Sequence, residues 1–117
     1  MIDLKGRRIL VLEDEPLIAM FLEDILTDLG CIVVGPALDI AQATTLVRDS
    51  AIDAAILDVN VGDSTSQPVA DLLRARNIPF LVASGYNDTN LLLGAGGSLG
   101  KPFRLEDVER ELQVVLS

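Results

Sequence analysis

The chain has 117 residues, half of them hydrophobic, and 18 acidic against 9 basic residues give a net charge of −9. That length supports one domain with a real core, and the apolar content excludes a disordered chain. The charge disfavours nucleic acid and anionic membrane as direct partners, since phosphate surfaces require a cationic face; cations or basic patches on another protein suit it better. Cys31 is the single cysteine and histidine is absent, which removes an intramolecular disulfide, thiolate-cluster and histidine zinc sites, and Ser-His-Asp or Cys-His nucleophiles. No apolar run approaches the roughly 18 residues of a membrane span. The start, "MIDLKGRRILVLEDEP", has no signal-peptide pattern, so a cytoplasmic location is expected.

The first element is "RILVLE" (8–13), a continuous apolar run that suits a strand covered on both faces, ending at Glu13-Asp14. From Pro16 to Leu29, apolar positions 17, 18, 21, 22, 25, 26 and 29 predict one inward helical stripe, with Pro16 in the first turn and Gly30 as the stop. "CIVVG" (31–35) reads as a second strand, with Cys31 as a small buried apolar residue. Asp39 is placed to cap a helix to about Ser50, with Ile40, Ala43, Leu46 and Val47 inward. "DAAILDV" (53–59) is a third strand carrying Asp58 at its end, and Pro68 opens a helix to about Arg76.

"PFLVAS" (79–84) is the fourth strand and ends at Ser84. "NDTNLLLGAGG" (87–97) has room for about two helical turns before its glycines weaken them. "GSLG" (97–100) reads as a short fifth strand followed by Lys101. The last helix is predicted from about Arg104 to Leu116, with Leu105, Val108, Leu112, Val115 and Leu116 inward. This alternation predicts an α/β, doubly wound, five-stranded parallel sheet with helices on both faces, one domain over residues 1–117.

The glycine-rich "LLLGAGGSLGKPF" (91–103) invites a phosphate-loop reading, but the spacing fails. Counting back from Gly100-Lys101 puts Ala95 where the first glycine belongs, and Pro102 follows the lysine where a hydroxyl residue is needed. The dinucleotide fingerprint fails at Leu99.

Position is more informative than any local motif. Taken singly, each polar residue is most simply a turn, cap or surface group. Together, Glu13, Asp14, Asp58, Ser84 and Lys101 fall at the C-terminal ends of four strands, the edge where open α/β sheets bind ligands. Clustered carboxylates repel unless they are protonated or share a cation, and oxygen ligands alone select a hard ion, Mg²⁺ or Mn²⁺. A lysine and a hydroxyl would then meet phosphoryl oxygens, and Asp58 could attack phosphorus to form an aspartyl-phosphate.

With "VLEDEP", "AAILDVN", "VASGY" and "GKPF" in order, the chain resembles the receiver domains of two-component response regulators over essentially its whole length. The resemblance implies the flavodoxin-like strand order 2-1-3-4-5. It implies Asp58 as the phosphorylation site, with Ser84 and Lys101 contacting the phosphoryl group. It implies Mg²⁺ held by Asp14, Asp58 and the main-chain carbonyl of Asn60, with Glu13 acting through metal-bound water. It implies a cis Lys101-Pro102 bond, a bond type in which that isomer is cheap. The partners implied are a sensor histidine kinase or a histidine phosphotransfer protein, then a downstream protein target, with a possible dimer through the face of strand five and the last helix.

Two departures stand out. Ser98 occupies the position, three before the lysine, where the family usually carries an aromatic residue, and Tyr86 is expected to supply that aromatic instead. The stretch from Ser84 to Lys101 is shorter than usual, as in an atypical subgroup of stand-alone and hybrid-kinase receivers. The fourth helix should therefore shrink or vanish, and residues 87–97 should be the most mobile part of the fold. Nothing follows the last helix, so the chain is expected to be a stand-alone module acting as adaptor, shuttle or phosphate sink, a regulator and not a turnover enzyme. The alternative is a Mg-dependent phosphohydrolase of haloacid dehalogenase type, but Asn60 stands where its general acid would be.

Overall fold

A computed structural model describes residues 2–84 and 93–117; the side chain of Ser84 lies outside this description. The elements run β1 (Arg8–Leu12), α1 (Pro16–Asp28), β2 (Ile32–Ala37), α2 (Ile40–Asp49), β3 (Ala54–Asp58), β4 (Asn60–Val61), β5 (Ser64–Thr65), α3 (Gln67–Ala75), β6 (Phe80–Ser84), β7 (Gly97–Gly100) and α4 (Leu105–Leu116). Five strands form one parallel sheet in the order β2-β1-β3-β6-β7, which is the predicted 2-1-3-4-5 arrangement with β2 and β7 outermost. Among the described residues no helix is long and apolar enough to cross a membrane.

Strand side chains alternate between faces, so each central strand feeds two cores. Leu10, Leu12, Ala55, Leu57, Phe80 and Val82 pack with α2 and α3 through Ala43, Val47, Ala70 and Leu73. Ile9, Val11, Ala54, Ile56, Leu81 and Ala83 pack on the opposite face against Leu22 and Leu26 of α1 and Val108 and Leu112 of α4. Double burial explains why these strands read as unbroken apolar runs.

Helix ends follow local chemistry. Asp39 Oδ1 accepts the Gln42 N–H at 2.7 Å and caps α2 as predicted. At the end of α1, Gly30 adopts φ +86°. The Gly30 N–H donates to the Thr27 carbonyl and the Cys31 N–H to the Leu26 carbonyl, closing a Schellman turn that directs the chain into β2.

Three side chains correct the predicted helix faces. Leu17 is 77% exposed and Phe21 44%, so the inner face of α1 is Ala19, Leu22, Ile25 and Leu26. Leu105 is also exposed, and the inner face of α4 is Val108 and Leu112. The glycine patch has a packing role. A Cβ on Gly96 would sit 2.8 Å from Val115 Cγ1, and one on Gly97 3.0 Å from Glu111 Oε1 and 3.1 Å from Leu81 Cδ2, so the missing side chains let α4 lie close over β7. Leu93–Gly94 form a turn, and the described part of the predicted fourth-helix segment contains no helix. Tyr86 and residues 87–92, on which the aromatic-replacement and mobility readings rest, lie outside the described residues.

Candidate functional site

Parallel strands deliver their C-terminal ends to one edge of the sheet, and the polar residues of the sequence collect there. Glu13 directly follows β1, its N–H held by the Ala37 carbonyl at 3.0 Å, while Asp58 is the last residue of β3. Glu13, Asp14 and Asp58 each offer a carboxylate oxygen within 4.8 Å of the others. Glu13 and Asp58 are buried, at 2% and 6% exposure, and Asp14 faces solvent.

Lys101 supplies the counter-charge. Its Nζ lies 2.9 Å from Glu13 Oε2 and 3.2 Å from Asp58 Oδ1. The lysine arrives from β7, whose Gly100 is in register with Ser84 at the end of β6, so the backbones of Ser84 and Lys101 are brought to the same edge. The Lys101-Pro102 peptide is cis.

The electrostatics follow from burial and crowding. Burial, then the Glu13 carboxylate, push the Asp58 carboxyl up to about 6 against the pull of the Lys101 ammonium, with a smaller push from Asp14. Burial lowers the Lys101 ammonium, but its hydrogen bond to Glu13 and the charges of Asp58 and Glu13 outweigh that and hold it above its ordinary value. A pocket of three carboxylates and one ammonium suits a hard dication, which would relieve the repulsion that raises Asp58.

Sequence reasoning missed one component. The chain leaving Asp58 does not run directly into α3 but makes a hairpin, β4 pairing antiparallel with β5 through Asn60↔Thr65 and Val61↔Ser64. Gly62, at φ +61°, is in its two-residue turn, and its N–H donates to Asp14 Oδ2 at 3.0 Å. The Gly-Asp pair at 62–63 is a turn signal, but strands of two residues are too short to show alternation. The Ser66 N–H donates to the Val59 carbonyl at 2.9 Å, making that a hydrogen-bonded pair. Antiparallel pairs alternate, so Asn60 and Thr65 form a non-hydrogen-bonded pair and the Asn60 carbonyl is free of its hairpin partner.

The sheet order and this acidic edge define a class. Residues 9–113 match the response regulator receiver domain. The chain belongs to this family, the receiver domains of two-component systems. It is 30% identical over 117 residues to the transcriptional regulatory protein PdtaR of Mycobacterium tuberculosis, a match covering 95% of this chain and 57% of the relative. It is 37% identical over 81 residues to the phyllosphere-induced regulator PhyR of Methylorubrum extorquens, 67% of this chain and 30% of that protein. The chain thus spans about half or less of the length of the curated relatives it matches. Among solved structures it is similar to SdrG from Sphingomonas melonis Fr1, with TM-score 0.85, 44% identity and full coverage of both chains. It is also similar to the receiver domain of sensor histidine kinase PA1611 from Pseudomonas aeruginosa PAO1, with TM-score 0.79, 25% identity and coverage of 95% and 98%. That structure has a magnesium ion coordinated in its active site cleft.

Proposed function

We propose that this receiver accepts a phosphoryl group on Asp58 from a phosphohistidine of a sensor kinase or phosphotransfer protein and thereby switches a protein-binding surface. One observation carries the reading: Lys101 bridges Glu13 and the candidate nucleophile Asp58 inside a triad of carboxylates. Asp14, Asp58 and the Asn60 carbonyl would hold Mg²⁺ (or Mn²⁺), with Glu13 acting through a bound water. The ion supplies charge neutralisation of the phosphoryl oxygens.

In the transfer, an Asp58 carboxylate oxygen attacks phosphorus, the P–N bond to the donor imidazole breaks, and the imidazole nitrogen keeps the electron pair. Lys101 is placed to turn its N–H donors from Asp58 toward the incoming phosphoryl oxygens, and Ser84, at the adjacent strand end, is the hydroxyl counterpart. Asp58 must be ionised to attack, and a cation that offsets the charges of Glu13 and Asp14 would favour that form. The products are a phosphoaspartate and a free histidine, one event per chain, which makes the protein a regulator and not a turnover enzyme. The family match lends no support to the haloacid dehalogenase alternative.

The test is incubation of the purified chain with a small-molecule phosphodonor such as phosphoramidate and MgCl₂, followed by intact mass. A single added phosphoryl that disappears in Asp58→Asn and without Mg²⁺ is expected. Labelling that persists in Asp58→Asn, or continuous release of phosphate from a phosphomonoester, would overturn the assignment.

A further inference from the structure

The hairpin and the start of α3 meet at one side chain. Ser66 is fully buried and sits at the N-cap of α3, where a serine hydroxyl ordinarily accepts a bond from the second or third helical N–H. It makes no such bond. The helix start does not require it: Pro68 has no N–H to cap, the Val69 N–H donates to the Ser66 carbonyl at 3.0 Å, and the Gln67 N–H turns to Thr65 Oγ1 at 3.5 Å. The hydroxyl instead reaches back toward β3, donating to the Asp58 carbonyl with the Val59 carbonyl 3.2 Å away. The Ser66 N–H holds Val59 as well. One residue therefore fastens both peptide carbonyls that lie between Asp58 and Asn60.

We propose that Ser66 is a positioning residue for the cation pocket: its buried hydroxyl clamps the Asp58 and Val59 carbonyls and so fixes the hairpin register that frees the Asn60 carbonyl as a ligand. The proposal rests on the reading of Glu13, Asp14 and Asp58 as a cation site. Its physical basis is the weakness of the hairpin. Two cross-strand pairs have no stability of their own, so the hairpin's place is set by what anchors it. The anchor at the tip, Gly62 to Asp14, is exposed to competing water. The anchor at the base is buried, and its donor sits beside the peptide units that orient the candidate ligands. Second-layer hydrogen bonds of this kind set the aim of ligand atoms without touching the ion.

The test is calorimetric titration of the unphosphorylated full chain with MgCl₂. Ser66→Ala is expected to weaken Mg²⁺ binding about tenfold, and Ser66→Thr, which keeps a hydroxyl, to recover most of the loss. Leu73→Ala, a fully buried residue of the same helix, is the control. It should lower Tm at least as much as Ser66→Ala while leaving the Mg²⁺ Kd unchanged.

If the extra methyl of threonine prevents folding, the amide shifts of residues 60–62 on adding Mg²⁺ decide the matter. They should shrink or relocate in Ser66→Ala. A Kd in Ser66→Ala within twofold of wild type, unchanged amide shifts, or an equal loss in Leu73→Ala would overturn the role of Ser66 alone. A wild-type chain that takes up no Mg²⁺ would overturn this proposal and the cation-site reading together.

Discussion

The ammonium of Lys101 sits 2.9 Å from a carboxylate oxygen of Glu13, a residue 88 positions earlier in the chain and almost wholly buried. A buried carboxylate needs an opposite charge, and this contact supplies one while keeping Lys101 against Asp58.

Replacing Lys101 should expose that dependence. In the metal-free chain, Lys101→Met leaves Glu13 and Asp58 facing each other without a cation, a loss of about 2–4 kcal/mol. Urea denaturation should show Mg²⁺ restoring much of it, and calorimetry should show the variant binding Mg²⁺ more tightly than wild type. Phosphoryl acceptance should nevertheless slow, because the group that meets the phosphoryl oxygens is gone.

The pH dependence has a defined sign. Asp58 titrates near 6 in the folded chain against an unfolded value of 3.8, so the folded state binds more protons between those values. Metal-free stability attributable to this group therefore falls as pH rises through that window. Asp58→Asn should flatten the slope and, above pH 6, raise the metal-free Tm by a few degrees. Mg²⁺ requires the ionised form, so the stabilisation it confers should fade as pH drops below about 6. Tm against pH, with and without MgCl₂, checks both halves.

Close packing of α4 makes the glycine patch sensitive to size. Gly96→Ala places a methyl 2.8 Å from Val115 Cγ1 and should destabilise the chain by about 1–3 kcal/mol in urea melts. A change below about 0.5 kcal/mol would mean that Val115 yields freely.

The corrected face of α1 gives a paired test. Leu17→Ser should shift stability by no more than about 0.5 kcal/mol, as an exposed substitution does. Leu22→Ala, at 1% exposure, should cost about 2–5 kcal/mol.

These contrasts mark where sequence was legible. Strands buried on both faces leave unbroken apolar runs, so β1, β3 and β6 were visible, and "GSLG" matched β7 residue for residue. The apolar stripe of α1 is wide, extending from Leu17 to Leu26, and periodicity alone does not say which half meets the sheet. Lys101 has no local signature; only its place after a strand end links it to Glu13 and Asp58. Hairpin strands of two residues are too short to register, so the Gly62 contact with Asp14 and the inward turn of Ser66 emerge only in three dimensions.

The strand order has a further consequence. Both rims of the sheet are poor docking templates for another backbone: β2 carries Pro36, which has no N–H to donate, and β7 is four residues long with glycine at each end. Copies of the chain are thereby steered away from zipping together along their margins into fibrous stacks.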